Sequence, residues 1–330
     1  MNNADPNLQQ LHAHLEPIRH LLEDQTIHEI VINGPDHVFV ERAGKLEQVS
    51  VRFTHNRAIH ALIQAVSQFL GRRVSTEKPL LEGQLPDGSR LTAVLPPAAA
   101  DGPILAIRRF PSHNLSLQAR VTQGSLDADT AALLLHLIQQ RRNILICGGS
   151  GAGKTSLLNL LANLIPHTER VMVLEDVREL SLGLPHALRL LTRPADIRGR
   201  GRVTLNDLLR SALRMRPDRI VLGELRGSEA LDLVQAMTGG HGGCLTSIHG
   251  GHPQDALAHL ESLMRTGGAS LPSQALRQQI VSAVDYLVHT SRCGDGRCRI
   301  TQVASLDDYE PSGGYRLLPP PPTSSWTAES

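Results

Sequence analysis

The sequence predicts two folded parts, a smaller α+β domain with an antiparallel sheet and then an α/β domain with a mostly parallel sheet. Three observations carry this prediction. Residues 25–110 hold several strand-like runs and one long amphipathic helix. From Leu126 onward, helical patterns alternate with short apolar runs that suit strands buried on both faces. One such run leads into a glycine-rich loop and then a helix, the order of an α/β phosphate-binding unit. At 330 residues the chain is long enough for both domains.

Residues 1–24 read as an N-terminal helical segment. Leu8, Leu11, Leu15, Ile18 and Leu22 fall at helical spacing, and Pro17 is placed to break or kink it. Strand-like runs follow at Ile27 to Ile32 and Val38 to Glu41, joined by the turn residues Asn33-Gly34-Pro35-Asp36. A third run covers Leu46 to Phe53. Ile59, Leu62, Ile63, Val66, Phe69 and Leu70 then share one helical face. Pro86-Asp87-Gly88 signals a turn before the runs Arg90 to Leu95 and Ile104 to Phe110.

Residues 111–125 are polar and read as an irregular linker, and 126–315 as the α/β domain. Its strands are expected at Asn143 to Cys147, Arg170 to Leu174, Arg219 to Leu222 and Cys244 to Ile248. Residues 316–330 are rich in Pro, Ser and Thr and read as a disordered tail.

The most specific motif is Gly148-Gly149-Ser150-Gly151-Ala152-Gly153-Lys154-Thr155, followed by Ser156. Glycines let the backbone curl with its N–H groups inward as an anion nest. Lys154 has the reach for β- and γ-phosphates, Thr155 a hydroxyl for Mg²⁺, and the following helix adds its positive dipole end. ATP with Mg²⁺ is therefore the expected ligand. Phosphoryl transfer to water also needs a carboxylate at the site and positive charge for the transition state. The run ending in Gly223-Glu224 places a carboxylate at a strand's carboxyl end, and Glu175-Asp176 does the same on a second strand. Each is equally the kind of residue that caps a following helix. His249 ends a third strand, where a histidine can sense a γ-phosphate or simply bond to backbone. His241 lies among four glycines, a loop suited to a switch element. Four arginines between Arg193 and Arg202 make a basic loop, open to nucleotide, a neighbouring subunit or solvent.

Composition excludes several classes. A net charge of +1 and only 2% aromatics argue against a protein that coats nucleic acid. No apolar run approaches the roughly 20 residues that span a bilayer. The polar, acidic start is unlike a signal peptide, so a cytoplasmic protein is expected. Four cysteines make no disulfide framework, and Cys293 and Cys298 read as reduced thiols on either side of a β-turn.

Taken together these motifs resemble the secretion ATPase superfamily of type II and type IV secretion and type IV pilus assembly. The stretches Glu29 to Pro35, Leu85 to Arg90, Ile107 to Phe110, Leu174 to Asp176, Leu213 to Gly227 and Gly240 to His249 carry the resemblance in family order. Within it the chain looks like the CpaF/TadA group, the tight-adherence (Flp) pilus ATPases. The resemblance implies a RecA-like P-loop NTPase domain after a smaller α+β domain with a PAS-like antiparallel sheet. It implies Glu224 as the Walker B carboxylate and Glu175 as the Asp-box acid. His249 corresponds to the His-box residue, and Arg90 and Arg108 to phosphate-directed arginines of the first domain. A homohexamer docked on an inner-membrane platform protein is implied as well. Two departures stand out: Thr238-Gly239-Gly240-His241 replaces the family's Asn-Thr-Gly-His, and Gly250-Gly251 follows the box histidine. The extra glycine loosens this loop and weakens the case for His241. The expected function is ATP hydrolysis that powers pilus assembly or secretion. A conjugative or DNA-translocating ATPase of the same core, and a nucleotide-binding module without turnover, are the alternatives.

Overall fold

The computed structural model describes residues 6–24, 26–42, 44–109, 116–122, 124, 126–195, 199–268, 270–310 and 314–320. They form two compact units, Met1–Ser112 and His113–Ser330.

In the first unit, helix α1 (Pro6–Leu15) ends where Pro17 enters a 3₁₀ turn (Glu16–Ile18), and α2 (Arg19–Glu23) resumes the chain. The missing N–H and fixed φ of proline account for the break. Leu11, Leu15, Ile18 and Leu21 are buried in this unit's core, so the N-terminal segment is part of the domain. Strands β1 (Ile27–Ile32), β2 (Val38–Arg42) and β3 (Lys45–Gln48) form a meander, followed by α3 (Asn56–Phe69). Strands β4 (Leu80–Gln84), β5 (Arg90–Val94) and β6 (Ile104–Arg108) complete an antiparallel sheet ordered β3-β2-β1-β6-β5-β4. β3 is shorter than the expected Leu46 to Phe53: beyond Gln48 the chain turns away, and the Phe53 N–H bonds to the Pro35 carbonyl. β4 was not expected, because Leu80-Leu81-Glu82-Gly83-Gln84 lacks the β-branched residues that mark strands. Alternate residues face the helices: Ile30, Ile32, Val38, Val40, Leu91, Ala93, Leu105 and Ile107 are all buried.

The second unit opens with α4 (Leu117–Thr122), a helix inside the stretch expected to be an irregular linker. Residues 110–115, 123 and 125 lie outside the described part. Next come α5 (Ala128–Gln139), β7 (Ile144–Gly148), α6 (Lys154–Ala162), β8 (Val171–Glu175), β9 (Ala187–Leu191) and α7 (Leu205–Leu213). Then follow β10 (Arg219–Leu225), α8 (Glu229–Thr238), β11 (Leu245–His249), α9 (Pro253–Thr266), α10 (Ser273–Ala283), β12 (Tyr286–Arg292), β13 (Cys298–Tyr309) and β14 (Tyr315–Leu318). The sheet order is β14-β13-β12-β7-β11-β10-β8-β9. It is parallel from β12 to β9 and antiparallel at β13 and β14. β14 occupies the start of the expected disordered tail: Tyr315 is buried and Leu317 packs on the core, so the chain stays ordered through Leu318. The tail beyond residue 320 lies outside the described residues.

Successive strand residues point to opposite faces, and both faces are covered. Leu145, Cys147, Met172, Leu174, Ile220 and Leu222 pack with α7 to α10. Ile144, Ile146, Val171, Val173, Val221 and Leu245 pack with α5 and α6. Each fully buried Leu, Ile or Val adds about 1.5–3 kcal/mol. α5 starts where the Asp127 side chain accepts the Thr130 N–H at 2.7 Å. α7 starts at a capping box between Thr204 and Asp207. The result is an α/β sandwich whose parallel strands all end on one edge.

Candidate active site

Four of those strands carry, at or next to their last residue, a residue singled out by the sequence. The sheet order β7-β11-β10-β8 brings Gly148, His249, Glu224 and Glu175 to one edge in that order. His249 stands directly opposite Gly148 in the β11–β7 ladder. This is where ligands bind in doubly wound folds, because loops and helix N-termini converge there.

The loop leaves β7 at Gly148 and enters α6 at Lys154. Gly151 and Gly153 have φ of +67° and +87°, the left-handed region that favours glycine. A side chain on Gly148 would clash, since a Cβ there would lie 2.4 Å from the Thr290 carbonyl oxygen. Gly149 and Gly151 face open space instead, with nothing within 4 Å of a Cβ placed on either. The loop is thus packed behind and open in front, the shape of an anion nest. Ser150, Ala152 and Ser156 complete the loop and the first turn of α6.

Lys154 is only 9% exposed. Its Nζ donates to the Gly149 carbonyl at 3.1 Å and pairs with Glu224 Oε1 at 3.5 Å. The other oxygen of Glu224 accepts from Arg226 Nε at 2.6 Å. A buried ammonium, a carboxylate and a guanidinium therefore share the mouth of the loop.

Glu175 is different in kind. It is 3% exposed. Its Oε1 accepts the N–H groups of Glu179 and Leu180, each at 2.8 Å, and so caps the turn after β8. Its Oε2 is buried with no hydrogen-bond partner. Burial pushes this carboxyl up to about 7, helped by the Glu179 carboxylate and opposed by the two N–H donors and Arg189. The capping and functional readings of Glu175 are thus both represented, one on each oxygen. Asp176 is tied to Thr192, whose hydroxyl donates to Oδ1 at 3.1 Å.

His249 is exposed, and its carbonyl lies 3.0 Å from His259 Nδ1. His241 sits before β11, at the amino edge of the sheet, near Cys244 and away from the loop. Parallel strands carry their two ends to opposite edges, so His241 lies across the sheet from the phosphate loop of its own chain. In the first unit, Arg90 and Arg108 are direct cross-strand partners of β5 and β6. They lie on the sheet face away from that unit's core, with Glu29 of β1 in register beside Arg108.

Two features escaped sequence reasoning. Thr155 Oγ1 donates to Glu179 Oε2 at 3.3 Å, so Glu179 joins the site. Its only sequence signal was a third acid four residues after Glu175. The second feature is the β12–β13 hairpin beside the loop: Thr290, Arg292 and Cys298 touch loop carbonyls. Cys293 N–H bonds to Arg297 O across the turn, while Cys298 stands opposite Arg292. Cys293 and Cys298 therefore point to opposite faces and remain free thiols.

No cluster of three His, Cys, Asp or Glu suited to a metal occurs among the described residues. Mg²⁺ needs none, since with a nucleotide it takes one or two protein oxygens plus phosphate oxygens and water. The Thr155 hydroxyl beside Glu179, with the Glu224 carboxylate across the loop mouth, is an all-oxygen donor set that fits this ion.

A family model described as Type II/IV secretion system protein matches residues 12–315. The putative conjugal transfer protein Rv3659c of Mycobacterium tuberculosis is 37% identical over 302 residues, covering 90% of this chain and 84% of that one. The type IV secretion system protein VirB11 of Brucella suis is 34% identical over 303 residues, covering 84% of each. Among solved structures, the pilus retraction motor PilT with bound ADP is similar in fold. Its TM-score is 0.60 at 16% identity, over 93% of this chain and 83% of that one.

Proposed function

The chain belongs to the type II/IV secretion system protein family, and from that premise we propose how its site works and what it drives. It is an ATP hydrolase and a secretion, pilus or conjugation motor of that family. The observation that carries the reading is the Lys154–Glu224 pair at the mouth of a glycine loop, with Glu175 and Glu179 on the same edge.

In the proposed cycle the N–H groups from Gly148 to Ser156 and Lys154 hold the phosphates of ATP. Thr155 and Glu224, with Glu179 added, hold Mg²⁺, which when bound neutralises charge developing on the phosphates. Glu224 and Glu175 act together on the attacking water, one steering it and the other accepting its proton. His249, opposite Gly148, reports on the γ-phosphate. Arg90 and Arg108 are the proposed phosphate-directed arginines, a role that rests on the family resemblance. The proposed assembly is a homohexamer, in which such arginines complete a neighbour's site. The proposed location is the cytoplasmic face of the inner membrane, reached through a platform protein. No helix among the described residues is long and apolar enough to cross a membrane.

Within the family we assign the chain to the CpaF/TadA pilus group on the stretches from Glu29 to Pro35 and from Leu213 to Gly227. The name of the mycobacterial relative favours a second reading, conjugal transfer. Strong, salt-sensitive DNA binding with stimulated ATPase would select it; genes for a pilin and a prepilin peptidase beside this one would select the pilus reading. The direct test of the site pairs two variants. Lys154→Ala should lose ATP binding in calorimetry, while Glu224→Gln should bind ATP and lose about 10²–10⁴-fold in phosphate release. Normal turnover by the Gln variant removes Glu224 from the mechanism.

A further inference from the structure

The contacts of the β12–β13 hairpin converge on the back of the phosphate loop. Thr290 Oγ1 lies 2.8 Å from the Ala152 carbonyl oxygen and 3.2 Å from that of Arg299. Arg292 Nε donates to the Gly151 carbonyl at 3.3 Å, and the Cys298 thiol lies 3.4 Å from the same oxygen. Cys298 also fills the space behind Gly153, where an added Cβ would come within 2.9 Å of its own Cβ. The Thr290 carbonyl closes off Gly148 in the same way.

A loop that binds anions through its N–H groups must turn carbonyls outward, and those carbonyls need partners. The peptide bond is planar and trans, so the carbonyl of Ala152 and the N–H of Gly153 point in opposite directions. A donor that fixes the Ala152 oxygen at the back therefore aims the Gly153 N–H toward the front. Thr290 is such a donor, buried and mounted on a sheet strand parallel to β7. Arg292 and Cys298 act one peptide earlier, on the carbonyl of Gly151.

We propose that Thr290 is a positioning residue for nucleotide binding, with Arg292 and Cys298 in support, holding the phosphate loop in its binding shape before ATP arrives. The proposal rests on reading the loop as an ATP site. Its test measures ATP–Mg²⁺ and ADP affinity by calorimetry on the full chain, alongside thermal unfolding. Thr290→Val keeps the shape but leaves the Ala152 oxygen buried without its donor, and is expected to weaken both nucleotides about tenfold. Thr290→Ser restores the hydroxyl and should bind as wild type. Thr301→Val, on the same hairpin but bonded to His289 on β12, is the matched control and should leave affinity within about twofold. A purely structural role predicts that unfolding temperature moves while affinity does not.

Affinity within about twofold of wild type in Thr290→Val, or equal weakening by the Thr301 control, overturns the proposal. Should Thr290→Val fail to fold, Arg292→Ala takes its place at an exposed position. A loss of about threefold or more is expected there, and an unchanged affinity overturns the proposal. Wild-type protein that binds no ATP sinks the ATP-site reading and this role with it. A wild type that binds while the variants bind equally sinks this role alone.

Discussion

Glu175→Gln should make the protein more stable and less active at once. The carboxyl is raised from 4.5 to about 7, chiefly by burial. A group with a raised native pKa binds its proton more tightly folded than unfolded. Native stability therefore falls as pH climbs from 4.5, with the full penalty in place once pH has passed about 7. At about 1.4 kcal/mol per unit, the ionised carboxylate costs the native state about 3 kcal/mol at mildly alkaline pH. Glutamine keeps the acceptor that caps Glu179 and Leu180 and removes the charge. Urea unfolding of wild type and variant near pH 5 and near pH 8 checks the sign. The variant's advantage should grow by about 2–3 kcal/mol between the two. If Glu175 works as an ionised carboxylate, wild-type kcat/KM for ATP rises as pH passes about 7. The variant loses that limb and about 10²–10⁴-fold in rate. Equal pH dependence of stability in the two proteins would refute the assignment of Glu175 as a destabilised, buried acid.

Two further substitutions test the frame around the site. Gly148→Ala places a methyl 2.4 Å from a backbone oxygen that cannot rotate away, so strand β7 or β12 must shift. An unfolding free energy lower by about 1–3 kcal/mol and weakened ATP binding are expected, measured by urea titration and calorimetry. Arg219→Ala removes a fully buried guanidinium that donates to Glu169 at 2.6 Å and to the Ile138 carbonyl at 2.7 Å. It should cost about 3–5 kcal/mol of stability. ATP affinity of the folded fraction should not change, because Arg219 begins β10 at the edge opposite the loop.

Much of the fold was legible because periodicity reports burial directly. The runs at Ile144, Val171, Arg219 and Leu245 read as buried strands, and Pro17 broke its helix at the expected place. What was missed had weak local signals. β4 has too few β-branched residues, and β9, Ala187–Leu191, is a leucine-rich run with the look of a helix fragment. The hairpin of β12 and β13 read only as a turn between cysteines. Its partnership with the loop joins residues more than 130 positions apart, as between Thr290 and Ala152. His241, before β11, and His249, its last residue, show the same limit. His241 and His249 are eight residues apart in sequence, yet strand direction sends one to each edge.

The same directionality separates the two acids that composition alone would treat as equals. Glu175 and Glu224 end neighbouring parallel strands, and a Cβ on Gly223 would lie 3.4 Å from Glu175 Cγ. Yet Glu224 meets Lys154 and Arg226 at the loop mouth, whereas Glu175 faces inward with one oxygen satisfied and one orphaned. Environments that differ this much push two carboxyls toward different tasks. A carboxylate set between two cations is suited to hold and steer charge. A buried carboxyl near 7 with a free oxygen is suited to accept a proton at neutral pH. On this reading Glu175 takes the base role and Glu224 the electrostatic one, and the two Gln variants should differ in a specific way. Glu224→Gln should keep the pH limb near 7 on a reduced rate, and Glu175→Gln should abolish it. Loss of the limb in Glu224→Gln instead would reverse the two assignments.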